Sequence, residues 1–279
     1  MTSIRNALNH GTASLGTHHE GVIFESELLL AHVLEKSRTY LHTWPGRALT
    51  HAQHAAFNQL IERRVKGEPC AYIIGEREFW SLTLEVTPDT LIPRPETERL
   101  VELALERIPL TEPINIADLG TGSGAIALAL ACERPHCHII ATDFSADALT
   151  VAERNRKKYA LENVSFRQGD WLTPLNELTF QLIAANPPYI REDDSHLNQG
   201  DLPFEPRSAL VAADHGLDDI RCIIANSRER LAANGWLLIE HGYDQADDVT
   251  QLFTQHGYHN ITAHHDLSRQ PRVVCGQHL

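Results

Sequence analysis

The spacing of apolar residues changes twice along the chain. Up to about residue 75 it is helical. Residues 25–37 carry Leu28, Leu29, Ala31, Val33 and Leu34 on a wandering helical period, and Thr50 stands as an N-cap before Phe57, Leu60, Ile61 and Val65. Gly67 and Pro69 then stop that helix in the expected order. From residue 82 the period becomes two, as Leu82, Leu84 and Val86 alternate with Thr83, Glu85 and Thr87. Pro88-Asp89 is expected to turn this strand and Leu91-Ile92 to resume it, giving a β-hairpin linker over residues 76–95. A helix is expected over 98–107, with Thr97 as its cap.

Further on, short apolar runs alternate with helical stretches. Strands are expected near 114–119, 138–143, 164–168, 180–185, 235–241, 260–263 and 272–277. Helices fit between them, among them 125–132, 146–159 and 217–233. Such alternation predicts an α/β fold whose mostly parallel sheet is covered on both faces. The organisation expected is a small helical bundle over 1–75, the hairpin linker, and a sheet domain over 96–279. Residues 190–216 lack a period and hold several Asp, Gly and Pro, which suits a flap.

Composition narrows the function classes. The 279 residues are 22% charged and 42% apolar, ordinary for a globular protein, and no apolar run approaches the roughly 20 residues of a membrane span. Residues 1–8 lack the basic flank and apolar centre of a secretory signal. The five cysteines are scattered, without a C-x-x-C pair, so neither a disulfide framework nor a zinc site is expected and a reducing cytoplasm is the simplest setting. Net charge is −13, and all the excess acid lies after residue 78, since residues 1–78 hold eight Lys/Arg and eight Asp/Glu. Direct binding to duplex DNA, which favours a basic surface, is therefore not expected. The basic clusters at 63–66 and 156–158 read as solvated helix faces. Of the 17 histidines, His51 and His54 have helical metal-pair spacing but no third ligand, while His18-His19 and His264-His265 sit in polar turns. No metal is expected.

Two segments carry chemistry. Residues 114–119 read as a buried strand, Gly120-Thr121-Gly122-Ser123-Gly124 follows, and a helix comes next. Strand, glycine turn and helix bring backbone close to a ligand at a positive helix end. Taken alone the turn is ambiguous, because Gly120, Gly122 and Ala125 also satisfy the relaxed dinucleotide fingerprint. Asp143, ending the next strand, can accept the ribose hydroxyls of NAD or of S-adenosylmethionine. The second segment is Asn186-Pro187-Pro188-Tyr189, at the end of the apolar run Phe180–Ala185. Two prolines fix the backbone and remove its donors, leaving preset carbonyl acceptors. Asn186 adds a side-chain carbonyl and Tyr189 a flat face. The set suits gripping a planar amino group at the ligand edge of a sheet.

Asn186 to Tyr189 resembles the N-P-P-Y motif of methyltransferases that act on adenine N6 or on a glutamine amide. Residues 75–80, Leu91-Ile92-Pro93-Arg94-Pro95-Glu96-Thr97-Glu98, Phe204-Glu205-Pro206 and Ile239-Glu240-His241-Gly242 extend the resemblance nearly end to end, to the bacterial peptide chain release factor glutamine methyltransferases, the PrmC/HemK family. That resemblance implies a class I methyltransferase (Rossmann-like) sheet of seven strands with the last antiparallel. It implies methyl transfer from S-adenosyl-L-methionine, leaving S-adenosyl-L-homocysteine, to the Gly-Gly-Gln glutamine of class I release factors. Asp118, Gly120, Thr121, Gly122, Ser123 and Gly124 resemble the family's cofactor loop, Asp143 its ribose acid, and Asp170 with Trp171 its adenine contact. Asn186, Pro187, Pro188 and Tyr189 would grip the glutamine, with Asn186 also near the cofactor, and Pro93, Arg94 and Thr97 would wall the substrate channel. A monomer is expected. A ribosomal protein glutamine or adenine N6 in DNA are the alternative acceptors. One departure is visible: Ser268-Arg269-Gln270 stands where a glycine turn would precede the last strand.

Overall fold

The computed structural model describes residues 2–16, 21–175 and 177–279, so His18-His19 lie outside the described residues. The chain divides into two compact units, Met1–Gly75 and Glu76–Leu279. The first contains α1 (Ile4–Leu15), α2 (Val22–Leu34), α3 (Arg38–Thr43), α4 (His51–Val65) and α5 (Cys70–Ile74). Thr50 caps α4 in a reciprocal box with Gln53, each side chain taking the other's backbone N–H. The helix expected to run to residue 37 stops at Leu34. Glu35 turns left-handed there (φ 52°), and Ser37 caps α3 instead. Leu29, Leu30, Leu41, Phe57 and Ile61 form the core of this unit.

The second unit opens with a hairpin of β1 (Glu76–Phe79) and β2 (Leu82–Glu85). Its turn is Trp80-Ser81, not the expected Pro88-Asp89, and Leu91-Ile92 forms no strand. Both turn residues have positive φ, 51° and 61°, the twist a two-residue hairpin needs. Tertiary bonds hold them there: Trp80 donates its backbone N–H to Glu98 (2.9 Å) and its indole N–H to Glu133 (2.9 Å). A 3₁₀ turn, Pro95–Thr97, leads into α6 (Glu98–Leu105). Thr97 itself has helical angles and does not cap the helix; its hydroxyl is used elsewhere.

The remaining elements are β3 (Asn115–Leu119), α7 (Ala125–Glu133), β4 (His138–Asp143), α8 (Ala146–Lys158), β5 (Val164–Gln168), β6 (Phe180–Ala185), the single turn α9 (Ala213–Gly216), α10 (Asp218–Ser227), β7 (Leu231–Glu240), α11 (Ala246–Gln255), β8 (His259–His265) and β9 (Pro271–Gln277). The strands form one sheet in the order β5-β4-β3-β6-β7-β9-β8, with β9 antiparallel to both neighbours. Successive strand residues face opposite ways. Ile116, Leu182 and Ala184 join α6 and α7 on one side, while Ala117, Ile183 and Ala185 join α10 and α11 on the other.

Two expectations fail locally. The helix expected over 217–233 ends at Ser227, a 3₁₀ turn covers Arg228–Arg230, and β7 begins at Leu231 with an irregular register against β6. His264 and His265 belong to strand β8 rather than a turn. The β8–β9 connection manages without glycine: Arg269 adopts φ 63°, and Asp266 accepts the Gln270 N–H through Oδ1 (2.9 Å).

One buried side chain ties the hairpin to the glycine turn. Asn155 on α8 accepts Glu85 N–H (2.7 Å) and donates to the carbonyls of Glu85 (3.0 Å) and Ser123 (2.9 Å). Asn155→Ala strips one buried and two partly buried backbone groups of their partner at once. We expect a loss of about 3 kcal/mol in urea unfolding, since each orphaned group costs about 1–3 kcal/mol. A loss below about 0.5 kcal/mol would mean that water replaces the amide.

Candidate active site

Register places the site. Leu119 of β3 is paired with Thr142 of β4 on one side and Ala185 of β6 on the other. The residues that follow these three, Gly120, Asp143 and Asn186, therefore leave the sheet side by side at its carboxyl edge. The order reverses there, with β4 to one side of β3 and β6 to the other, which opens the crevice where such sheets bind ligands.

Gly120, Gly122 and Gly124 have φ of 74°, 56° and 89°, so the turn needs glycine for its backbone alone. At Gly120 a Cβ would also stand 3.0 Å from the Trp171 ring. Beneath the turn Asp118 is fully buried. Its Oδ2 accepts from the Thr121 hydroxyl (2.6 Å) and from Ala127 N–H (3.1 Å), and its Oδ1 has no hydrogen-bond partner. Burial pushes this carboxyl up to about 7, against those two bonds.

Asp143 stands across the turn. Its oxygens accept the N–H groups of Gly122 (2.8 Å) and Ser145 (2.9 Å). A carboxylate oxygen takes two bonds, so each keeps an acceptor position for a ligand. Burial raises its pKa, and the backbone donors hold it back.

A cavity of about 460 Å³ opens above these groups. Gly120, Gly122, Asp143, Asp170, Trp171 and Asn186 line it, as does Pro188. Its size is that of a small-molecule pocket. Asp118, Thr121, Ser123 and Gly124 shape the turn from behind without lining the cavity. Trp171 is held with φ 43°; its carbonyl accepts from the Thr142 hydroxyl (2.9 Å), and it shares the cavity lining with Asp219 of α10. Asp219 and the exposed Phe144 ring also line the cavity, and neither was expected. Phe144 had a faint signal, an aromatic directly after the strand-ending acid. Asp219 had none.

The Asn186 amide is fixed by its neighbour, its Nδ2 donating to the Thr97 hydroxyl (3.1 Å). The two ends of an amide point apart, so Oδ1 faces away from Thr97. Pro187 is buried, and Tyr189 turns inward, its hydroxyl donating to Glu240 at 3.3 Å. Burial and that carboxylate raise the phenol pKa. Tyr189 and Arg272 line a second cavity of about 330 Å³, separate in lining from the first. Pro93, Arg94 and Thr97 line neither cavity. Arg94 pairs with the buried Glu205, which also accepts Ile92 N–H (3.0 Å). Through Glu205 the 190–216 segment is pinned beside the cavity, which Pro206, Ser208 and Ala209 border.

The turn, the carboxylate of Asp143 and the aromatic faces of Phe144 and Trp171 suit a nucleoside with an extended polar tail. The orphaned Oδ1 of Asp118 marks a buried acceptor under that tail's end. Among the described residues no group of three His, Cys, Asp or Glu could hold a metal, and no helix is long and apolar enough to cross a membrane.

Comparison with known proteins agrees with this geometry. The PrmC N-terminal domain family matches residues 6–75, and a methyltransferase domain family matches residues 110–266. A release factor glutamine methyltransferase of Coxiella burnetii is 47% identical over 277 residues, covering 99% of each chain. That of Vibrio cholerae is 50% identical over 255 residues, covering 91% of this chain and 89% of its own. The chain belongs to the release factor glutamine methyltransferase family. A solved methyltransferase structure from Pyrococcus furiosus, 15% identical, superposes with a TM-score of 0.55 over 77% of this chain and 96% of its own, a likeness of fold.

Asp118 in this family member makes stability depend on pH. The native carboxyl titrates at about 7 and the free one near 3.8. The stability that its proton supports is complete below about pH 4 and is lost as pH rises toward 7. Asp118→Asn removes this dependence. The variant should gain on the parent in thermal melts as pH rises from 4 to 7, with no further change above. A constant difference across that range would show that Asp118 is already ionised in the native state.

Proposed function

We propose that this chain transfers the methyl group of S-adenosylmethionine to the side-chain amide nitrogen of the Gly-Gly-Gln glutamine in class I peptide chain release factors. The reaction belongs in the cytoplasm, where translation terminates. The observation that carries this reading is the Asn186 amide at the cavity edge, its Nδ2 committed to Thr97 and its Oδ1 left as an acceptor.

Gly120 and Gly122 would hold the amino-acid end of S-adenosylmethionine, Asp143 the ribose, and Asp170, Trp171 and Phe144 the base. Once bound, the cofactor supplies a methyl carbon on a sulfonium sulfur, an electrophile whose leaving group is a neutral thioether. The protein must present the nitrogen. An amide nitrogen is a weak nucleophile because resonance spreads its lone pair into the carbonyl. Asn186 Oδ1 and the Pro187 carbonyl would each accept one N–H of the glutamine. Both acceptors are fixed in advance, one by Thr97 and one by the double proline. They align the nitrogen and favour the positive charge that grows on it as its bond to carbon forms. The methylated amide is left with one proton too many, and because neither carbonyl acceptor is basic enough to keep it, that proton passes to bulk water as the product leaves. Tyr189 would pack beside the amide, and the segment pinned by Glu205 would exclude water. The unit Met1–Gly75 would dock the release factor.

The test is transfer of radiolabelled methyl to purified release factor, with a factor lacking the Gly-Gly-Gln glutamine as control and duplex DNA and ribosomal protein in parallel. Label on the intact factor alone is expected. Label only on DNA or ribosomal protein would overturn the acceptor assignment. Asn186→Ala should keep cofactor affinity and lose turnover by roughly 10²–10³-fold, as when one preorganised polar group is removed; near-normal turnover would refute the grip. Asp143→Ala should weaken cofactor binding first, measurable by calorimetry, and an unchanged affinity would remove the ribose assignment.

A further inference from the structure

Gln245 stands at the foot of α11, where its side-chain amide joins three loops. Its Oε1 accepts Gly242 N–H (2.8 Å), in the loop that leaves β7. Its Nε2 donates to the carbonyls of Tyr189 (3.1 Å) and His215 (3.3 Å). The side chain is buried, and its partners settle its direction, a backbone donor at one end and backbone acceptors at the other. The turn that it grasps is strained. Asp214, His215 and Gly216 are all left-handed, with φ of 48°, 58° and 83°, a conformation that residues other than glycine adopt rarely and singly. Arg221 holds Asp214 in an ion pair (2.6 Å). At Gly216 a Cβ would stand 2.2 Å from the Tyr189 carbonyl oxygen, so the turn is pressed against that carbonyl. Strain of this kind persists only where the surroundings over-determine it.

We propose that Gln245 is a positioning residue, which fixes the Pro187 carbonyl of the acceptor grip by holding the carbonyl of Tyr189. This inference rests on the function proposed above and deepens it. The two prolines set φ at 187 and 188 but leave ψ free at both. Rotation about either ψ swings Tyr189 relative to Asn186, so the two ends of the segment decide where the Pro187 carbonyl points. The Asn186 end follows β6, whose Ala185 is paired with Ile239. The Tyr189 end passes into a segment that closes on itself, Ile190 donating to the Leu210 carbonyl (2.9 Å) and accepting Ala212 N–H (3.1 Å). Those bonds tie loop to loop. Gln245 ties the loop to the core, because it begins α11, whose Val249, Leu252 and Phe253 are buried against the sheet. The hydroxyl contact with Glu240 holds the Tyr189 ring, and Gln245 holds its backbone.

The test uses the full-length protein with release factor as substrate, and turnover is counted per cofactor-binding site by calorimetry. Gln245→Met keeps the length of the side chain and removes its donors and its acceptor. Gln245→Glu keeps the acceptor for Gly242 and offers Tyr189 a donor only while its carboxyl is protonated. Gln245→Met should lose about 10- to 100-fold in kcat, the scale of a misoriented reacting group. Its affinity for S-adenosylmethionine should stay within about threefold of the parent's, because Gln245 does not line the cofactor cavity. Relative to the parent, Gln245→Glu should lose turnover as pH rises from about 6 to about 9, since burial raises the pKa of the new carboxyl into that range. The same ratio for Gln245→Met should stay flat. Asp194, His196, His215, Asp244 and Asp248, which line the second cavity with Gln245, are present in every variant. Should Gln245→Met fail to fold, the pH ratio of Gln245→Glu decides alone. Turnover of Gln245→Met near that of an active parent would overturn the inference while leaving the proposed function standing. So would a Gln245→Glu variant that keeps the parent's rate at every pH, because the acceptor for Gly242 would then suffice. A loss in Gln245→Met matched by an equal loss in cofactor affinity would make the contact structural and overturn it as well. A parent that does not methylate the glutamine would overturn the functional reading, and this inference with it.

Discussion

The pairing of β3 with β6 at the centre of the sheet is the constraint on which the rest depends. Leu119 opposite Ala185 fixes where two unrelated stretches of chain leave the sheet. One becomes the glycine turn and the other begins with Asn186. A slip of one residue would turn every side chain of either strand to the other face. The alternation of Ala117, Ile183 and Ala185 on one face with Ile116, Leu182 and Ala184 on the other forbids it. Catalytic geometry is thus set by core packing that never touches a ligand.

Three buried carboxyl groups surround that edge, and each is satisfied differently. Asp118 serves the glycine turn, Glu205 faces the cation of Arg94, and Glu240 receives the Tyr189 hydroxyl. A weakly screened interior makes each arrangement strongly directional and makes an unpaired oxygen costly. Burial pushes Asp118 and Glu240 each up to about 7, so two of these acids are held more easily in neutral form. Stability is traded for orientation.

The seven strands and the long helices between them are legible because each is a buried run with its own period. The two chemical segments are legible because each is a short, unbroken string whose backbone demands are unusual, three glycines at positive φ and two adjacent prolines. What the sequence hides is whatever depends on distant partners. The Trp80-Ser81 turn contains no glycine, asparagine or proline and is set by Glu98 and Glu133. Thr97 sits where a helix cap belongs, yet its hydroxyl serves Asn186, 89 positions on. Arg94 looks like a channel wall but is claimed by Glu205, 111 positions away. Ala232 and Ala233 favour a helix and lie in an irregular strand, because sheet pairing outweighs local preference.

The place of β9 has a consequence for synthesis. The final strand of the chain lies between β7 and β8, both of which precede it. Until those last residues leave the ribosome, β7 is an open edge and β8 has no neighbour, a state prone to wrong pairing. Glu240 lies opposite Val273 of that late strand. A nascent chain can thus form its glycine turn well before β7 gains its outer neighbour, and the part of the sheet beside Glu240 is the last to mature.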